Sequence, residues 1–221
     1  MYDHARGPGA SSRDLLSADD FDRLVVQVHY VEGFRPSDAG LAMLTDFLTA
    51  RLNKPAGIDL RIEPALQIAS QATYTVAEVR ALEVQHRTAY TEGTTLAVHL
   101  LFLGGEYSEA SNVLGIAYNN TSMAVFEEKV QQNSGGALQP AQATVEGVVA
   151  SHEVGHILGL VNNGSDMQTE HQDEPNGRHC DDPDCLMYYA VRTTDFMSNL
   201  LGDSPELDAN CLDDLAANGG R

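Results

Sequence analysis

Three apolar runs of strand length alternate with two amphipathic segments in the first half of the chain. The runs are LVVQVHYV at 24–31, GIDLRI at 57–62 and TLAVHLLFL at 95–103, and their β-branched residues favour strands. Between them, residues 37–52 and 76–90 carry apolar side chains at helical spacing. The order β-α-β-α-β predicts right-handed crossovers and a largely parallel sheet.

The pattern changes after Gly104-Gly105. Residues 114–118 and 122–127 predict two short strands joined at Asn119-Asn120, a pair typical of a tight turn. A third helix follows Pro140, a residue suited to a helix start. The prediction is an α/β (α+β) fold with a mixed, mostly parallel five-stranded sheet, two backing helices and this third helix.

The chain divides into three predicted parts. Residues 1–20 are rich in Gly, Ser and Asp without periodicity, so we expect a flexible leader. Residues 21–160 form an N-terminal lobe that includes the third helix. Residues 161–221 form a small irregular C-terminal lobe. A structureless stretch as long as its polar segment 161–185 is uncommon in a compact domain unless it is functional. Residues 190–201 could form a final helix, and the tail after Asp203 shows no clear element.

Composition excludes several classes of function. The formal net charge is −19, from 32 acidic and 13 basic residues, and such a surface repels phosphate backbones, so we expect no nucleic-acid partner. Hydrophobic residues make up 43% of the chain, which indicates a globular protein. No apolar run approaches the length of a membrane span, so we expect no transmembrane segment. Separately, we expect the protein to be a monomer.

The third helix contains the run His152-Glu153-Val154-Gly155-His156. Positions i and i+4 of a helix lie on one face, so both imidazoles can bind one metal ion, and Glu153 can reach a water bound to that ion. Gly159 stands where the helix can end and the chain can turn back. The motif predicts a zinc hydrolase with His152 and His156 as ligands and Glu153 as general base.

This run, followed by a later Met, resembles the metzincin metalloproteases, whose pattern H-E-x-x-H-x-x-G-x-x-H is closed by a Met-containing turn. The chain departs from that pattern at Asn162, which stands at the position of the third histidine. Downstream, His179-Cys180 and Cys185-Leu186-Met187 resemble the run that begins at the third zinc histidine of archaemetzincins. The resemblance implies that residues 162–178 are an insertion and that His179 is the third ligand, with His171 as the alternative.

The same resemblance implies roles for Met187 and Tyr189. Met187 would lie as an apolar support beneath the histidines, and Tyr189 matches a Tyr that approaches the metal or the oxyanion in some metzincins; a packed aromatic is the alternative. Archaemetzincins bind a second, structural zinc through a further C-x-x-C, but here only Cys211 remains. We therefore expect one catalytic Zn²⁺, a Cys180–Cys185 disulfide and a free Cys211.

The implied function is a zinc peptidase acting on a peptide or protein substrate, with endopeptidase favoured over aminopeptidase activity. A catalytically weak or inactive binding protein with this fold is the alternative, which Asn162 supports and Glu153 opposes. Ca²⁺ could bind acidic residues after position 165, although their spacing matches no known Ca²⁺ loop. Similarity to secreted or membrane-attached bacterial metalloproteases implies a secreted, periplasmic or lipid-anchored protein at the cell surface, with a cytoplasmic protein as the alternative.

Overall fold

The computed structural model describes residues 1–197, 200 and 202–221. Its elements, in chain order, are α1 (Ser12–Leu16), β1 (Arg23–Tyr30), α2 (Asp38–Arg51), β2 (Gly57–Ile62), β3 (Thr73–Tyr74), α3 (Val76–His86), β4 (Thr95–Leu103), β5 (Glu106–Tyr107), β6 (Gly115–Asn119), β7 (Ser122–Phe126), α4 (Glu127–Gln132), α5 (Gln142–Ile157), α6 (Thr194–Met197) and α7 (Ala209–Ala217). None of the described helices is both long and apolar enough to cross a lipid bilayer.

The main sheet has five strands in the order β2-β1-β4-β7-β6. Every neighbouring pair is parallel except β6 and β7, which are antiparallel. The predicted fold class, a mixed and mostly parallel five-stranded sheet, is confirmed. The short parallel pair β3 and β5 was not predicted, because two residues are too few to show a periodic pattern.

Helices cover both faces of this sheet, which explains the nearly continuous apolar sequence of β4. Side chains of β4 alternate between two buried clusters, as the period of a strand requires. Leu96, Val98 and Leu100 pack in the larger cluster with α2 and α5, whereas Leu101 and Leu103 pack in the smaller one with α3. Helix α5, which carries the His-Glu motif, is therefore buried from Val145 to Ile157 in the larger cluster.

The leader expected at residues 1–20 is instead packed against the rest of the protein. Leu15 and Leu16 of α1 are fully buried in the larger cluster. The Lys54 ammonium holds the segment in place by donating hydrogen bonds to the carbonyl groups of Asp14 at 2.7 Å and Phe21 at 2.6 Å. Periodicity could not show this helix, because α1 has only five residues.

The C-terminal lobe shares the larger core. Cys180, Met187 and Leu215 pack in the same cluster as α2 and α5. Helix α7 lies in the tail after Asp203, where no element was predicted. A final helix was predicted at 190–201; the structure has α6 at Thr194–Met197, and residues 198, 199 and 201 lie outside the described part.

Two buried carboxyl groups connect α5 to its neighbours at its N-terminal end. Glu146 accepts hydrogen bonds from the backbone N–H and the hydroxyl of Ser37, the N-cap of α2. The Gln142 amide donates to Glu146 at 2.9 Å and to Glu127 at 2.8 Å. Burial, and then the nearby Glu146 charge, raises the pKa of Glu127 to about 9. Glu127 therefore stays protonated in the folded protein at neutral pH.

This pKa predicts that stability falls as pH rises. A carboxyl group whose folded pKa is raised contributes fully below its ordinary value of 4.5, and the contribution is lost as pH rises toward 9. Glu127→Gln removes this titration, so the variant should gain stability relative to wild type from pH 5 to pH 9. Thermal melts should show a growing Tm advantage of about 2–4 °C per kcal/mol. The exposed Glu92→Gln is the control, and a Tm difference that is constant with pH would contradict the assignment.

Candidate metal centre

Helix α5 places the two motif histidines one turn apart and buries them. The rings of His152 and His156 lie with their centroids 4.9 Å apart. The helix ends at Ile157, and Gly159 follows with φ +80°. A Cβ at Gly159 would lie 2.6 Å from the Ser165 nitrogen, so the turn requires glycine there.

His179 completes a cluster of three histidines. Its ring centroid lies 5.3 Å from that of His152 and 4.9 Å from that of His156, and one ligand nitrogen of each residue lies within 4.8 Å of the others. Asn162 is exposed and has φ 56°, a left-handed conformation that Asn tolerates better than most residues. Asn162 therefore shapes the turn after the helix, and the histidine cluster is built without it.

Hydrogen bonds orient the imidazoles toward one point. His152 Nδ1 lies 2.7 Å from the Leu186 carbonyl oxygen, and His179 Nδ1 lies 2.7 Å from the Asn176 carbonyl oxygen. If each Nδ1 donates to its carbonyl, each Nε2 keeps its lone pair for a metal. The Nε2 atoms of His152, His156 and His179 are buried and have no hydrogen-bond partner among the described residues.

This arrangement fits a zinc ion. Burying an unpartnered polar nitrogen is costly, and a shared cation would satisfy all three. Burial lowers the pKa of His179 to about 4 and the pKa values of His152 and His156 well below 6.5. The three imidazoles are therefore neutral, which is the form that binds zinc.

Glu153 is fully buried beside this cluster, and its carboxylate oxygens make no well-formed hydrogen bond among the described residues. The Ala117 N–H of β6 approaches the carboxylate and opposes the rise of its pKa. A Cβ on Gly115 of β6 would lie 2.9 Å from Glu153 Cγ, so the edge strand lies directly against this side chain. Burial raises the pKa of Glu153 to about 7, and the Arg192 charge opposes that rise. A carboxyl group with this pKa can both accept and return a proton near neutral pH.

Met187 packs against α5 at Gly155, between the two motif histidines. A Cβ on Gly155 would collide with Met187 Sδ, so the methionine fills the space that the missing side chain leaves. Its role as a support for the histidines stays a prediction. Tyr189 is different: it is 37% exposed and its ring packs against Tyr188 with centroids 4.7 Å apart. No hydrogen bond links Tyr189 to the histidines or Glu153 in the described part of the chain, and its catalytic role stays a prediction.

His171, the alternative third ligand, lies in a second buried cluster. Its Nδ1 is 3.3 Å from Cys180 Sγ and 4.0 Å from Cys211 Sγ, while its Nε2 is 2.9 Å from an oxygen of the buried Asp214. One ligand atom from each of His171, Cys180, Asp208 and Cys211 lies within 4.8 Å of the others. Asp214 orients the imidazole in the way that carboxylates orient metal-binding histidines.

The disulfide expected between Cys180 and Cys185 is not formed, and all three cysteines are free thiols. Cys185 Sγ instead lies 3.7 Å from Cys211 Sγ and accepts hydrogen bonds from the Met187 and Asp208 backbone N–H groups at 3.3 and 3.5 Å. Its own S–H donates to Asp208 Oδ1 at 3.4 Å, and the neighbouring Cys180 raises the pKa of the Cys185 thiol. Cysteine spacing could not reveal this cluster, because His171 and Cys211 reach Cys180 only through the fold.

A single hairpin serves both clusters. Asp173 N–H donates to the His179 carbonyl at 2.8 Å, and Asp181 N–H donates to the His171 carbonyl at 3.0 Å. These bonds close residues 171–181 into a hairpin around a 3-10 turn at Glu174–Asn176. This hairpin supplies one histidine to each cluster: His171 lies within the segment predicted as an insertion, and His179 directly follows it. Acidic side chains form no further cluster of this kind among the described residues.

No family model and no curated protein matches the sequence. The structure matches archaemetzincin from Methanopyrus kandleri with a TM-score of 0.58 and 16% sequence identity, over 89% of this chain and 96% of that chain. The chain has an archaemetzincin-like fold. The structure of the chain is also similar to metalloproteinase-II from Bacteroides fragilis, with a TM-score of 0.48 and 13% sequence identity, over 92% of this chain and 54% of that chain.

Proposed function

We propose that the chain is a zinc-dependent peptidase with His152, His156 and His179 as ligands and Glu153 as general base. The observation that carries the proposal is the convergence of three buried, unpartnered Nε2 atoms beside a buried, unpartnered carboxyl group. A structural role alone would leave these groups desolvated without compensation.

When bound, zinc supplies an activated water and polarises the scissile carbonyl. Glu153 would take the proton of that water and return it to the leaving amine. Its buried position excludes bulk water from the proton transfer. Leu186 and Asn176 would hold the His152 and His179 rings through their carbonyl groups, so little reorganisation is needed during the reaction.

The edge strand supports internal cleavage of extended peptides. Strand β6 ends the sheet and lies against Glu153, so a peptide can add to this edge through backbone hydrogen bonds beside the catalytic group. Mass spectrometry of a long peptide distinguishes the two activities. Internal cuts are expected, and stepwise loss of N-terminal residues would indicate an aminopeptidase instead.

The test of the function combines metal analysis with cleavage of a quenched protein substrate. Purified protein is expected to contain zinc and to cleave, to lose activity with a chelator and to regain it when zinc is added. Zinc without cleavage of any substrate would favour the alternative, a binding protein that keeps the fold.

Two histidine variants assign the third ligand. His179→Ala should lose the zinc of the histidine cluster and its activity, because only two imidazoles remain. His171→Ala should keep that zinc, because its nitrogen lies in the cysteine cluster. Zinc content and cleavage rates of both variants check this. Full zinc and full activity in His179→Ala would refute the assignment.

We also propose that the second cluster holds a structural zinc, in place of the single ion expected from the sequence. Cys180, Cys211 and His171 would be three ligands, and Cys185 would be the fourth. Asp208 competes for that place, but its Oδ1 already accepts the Cys211 backbone N–H at 3.0 Å as the N-cap of α7. Three thiolates and one imidazole are a typical donor set for structural zinc.

Monomeric state and location outside the cytoplasm are further proposals. A disulfide would have supported export, but the three cysteines are free thiols. The proposal of export therefore rests on the resemblance to secreted bacterial metalloproteases. Light scattering and fractionation of the native cells check the two proposals.

A further inference from the structure

The backbone of Arg192 is hydrogen-bonded to the segment that leads into the edge strand β6. The Leu114 N–H donates to the Arg192 carbonyl at 2.8 Å, and the Thr194 N–H donates to the Asn112 carbonyl at 2.9 Å. Val113 and Thr193 form an antiparallel bridge between these two bonds. The segment after the Met187 turn is thereby joined to the start of the edge strand.

The next residue of that strand is Gly115, whose Cα packs against Glu153. Arg192 therefore lies one residue in register from the contact between the edge strand and the proposed general base. Its preceding neighbour Val191 is fully buried, which anchors the chain at this point. The backbone thus sets the Arg192 side chain beside the place where a peptide would add to β6.

The guanidinium is half-buried and has no protein partner in the described part of the chain: none of the ion pairs or side-chain hydrogen bonds found there includes it. Leu114, which lies opposite Arg192 across the antiparallel bridge, is buried in the larger cluster on the α5 side of the sheet. Residues opposite each other in an antiparallel pair project to the same face of the sheet. This unpaired cation therefore faces α5 from the edge-strand side.

We propose that Arg192 binds a substrate carboxylate within two residues of the scissile bond, supplied by an Asp or Glu side chain or by a free C-terminus. This selectivity rests on the proposed peptidase function. The planar guanidinium can donate two parallel hydrogen bonds to a carboxylate. A protein with a formal charge of −19 repels acidic peptides overall, so preference for one requires a local cation such as this.

The competing explanation is that the Arg192 charge sets the proton affinity of Glu153. That role predicts equal rate changes for charged and neutral substrates, together with a shifted pH profile. Carboxylate binding predicts a loss confined to the acidic substrate. The two roles therefore separate on matched peptides.

The kinetic test uses quenched peptides that differ only by Glu or Gln at each of the two positions on either side of the cleaved bond. A second pair differs by a free or an amidated C-terminus. Wild type should prefer the carboxylate at one position by about 10- to 100-fold in kcat/KM, the range of a charge-assisted hydrogen bond. Arg192→Gln should abolish the preference, so that kcat/KM for the Glu peptide falls to that of the Gln peptide in the same variant, and Arg192→Lys should retain part of it.

Arg61→Gln is the matched control, because Arg61 is exposed on β2 at the opposite edge of the sheet. It should leave the preference intact. Equal rates for every Glu and Gln pair in wild type, or an equal loss on both peptides in Arg192→Gln, would overturn the proposal.

A binding measurement separates this proposal from the peptidase function itself. Fluorescence anisotropy with Glu153→Gln reports the affinity of the Glu and Gln peptides without turnover. Tighter binding of the Glu peptide that is lost in Glu153→Gln/Arg192→Gln supports carboxylate binding even if wild type cleaves nothing. Equal affinity for both peptides, or binding of neither, overturns it whatever the outcome for cleavage.

Discussion

Glu153→Gln should lower kcat/KM for peptide cleavage by about 10²- to 10⁴-fold, the contribution typical of a general base. The amide has nearly the same shape but cannot accept the proton. Zinc content should be unchanged, because Glu153 is not one of the three converging histidines. Stability should not fall, because burial disfavours the charged carboxylate, as its raised pKa shows.

Three measurements on the same preparation check this expectation: cleavage rate, zinc per chain and Tm. The control is the exposed Glu92→Gln, which should match wild type in all three. Wild-type turnover in Glu153→Gln would exclude the proposed mechanism. Loss of zinc together with activity would instead place the carboxyl group in the metal site.

Cys180→Ser and Cys211→Ser should each reduce bound zinc from about two equivalents to one and lower Tm on the order of 10 °C, because losing a structural metal is among the largest single-site effects. The cluster lies in the main core, where Cys180, Cys185 and Cys211 are fully buried. Without the ion, three thiols and His171 would remain there with incomplete partners.

Variants around the cluster identify the fourth ligand. Cys185→Ser should behave like Cys180→Ser, whereas Asp208→Asn should keep two zinc equivalents, since Asn also caps a helix well. Asp214→Asn should weaken zinc binding by about 10- to 100-fold, as changes to the partner of a metal-binding histidine do. One zinc per wild-type chain, with three thiols that react rapidly in the native protein, would refute the second site.

Much of the fold follows from sequence pattern because long elements show their period. The run TLAVHLLFL predicts a strand covered on both faces, since it is apolar without alternation. Helix α1 could not be predicted, because five residues make barely one turn and only its burial reveals Leu15 and Leu16. The pair β3 and β5 is hidden for the same reason.

The residues of the candidate site also fall into those that the sequence pattern predicts and those that it does not. His152, Glu153 and His156 follow from one helical motif, because i to i+4 spacing defines a face. His179 required the downstream His-Cys pattern, since a loop gives no geometric rule. The association of His171 with Cys211 was missed, because the two residues meet only when α7 packs against the hairpin. Side chains brought together by tertiary contacts leave no periodic signal.

His179 and Cys180 are consecutive residues, and they belong to different clusters. A single peptide bond therefore joins a ligand of one proposed ion to a ligand of the other. Ordering either ligand in the hairpin also orders its neighbour. The two zinc affinities should then be coupled by a single reciprocal factor: filling either site tightens the other, and emptying either loosens it. A protein built this way would lose catalytic zinc cooperatively as free zinc falls, and its activity would follow zinc supply more steeply than a single-site enzyme's.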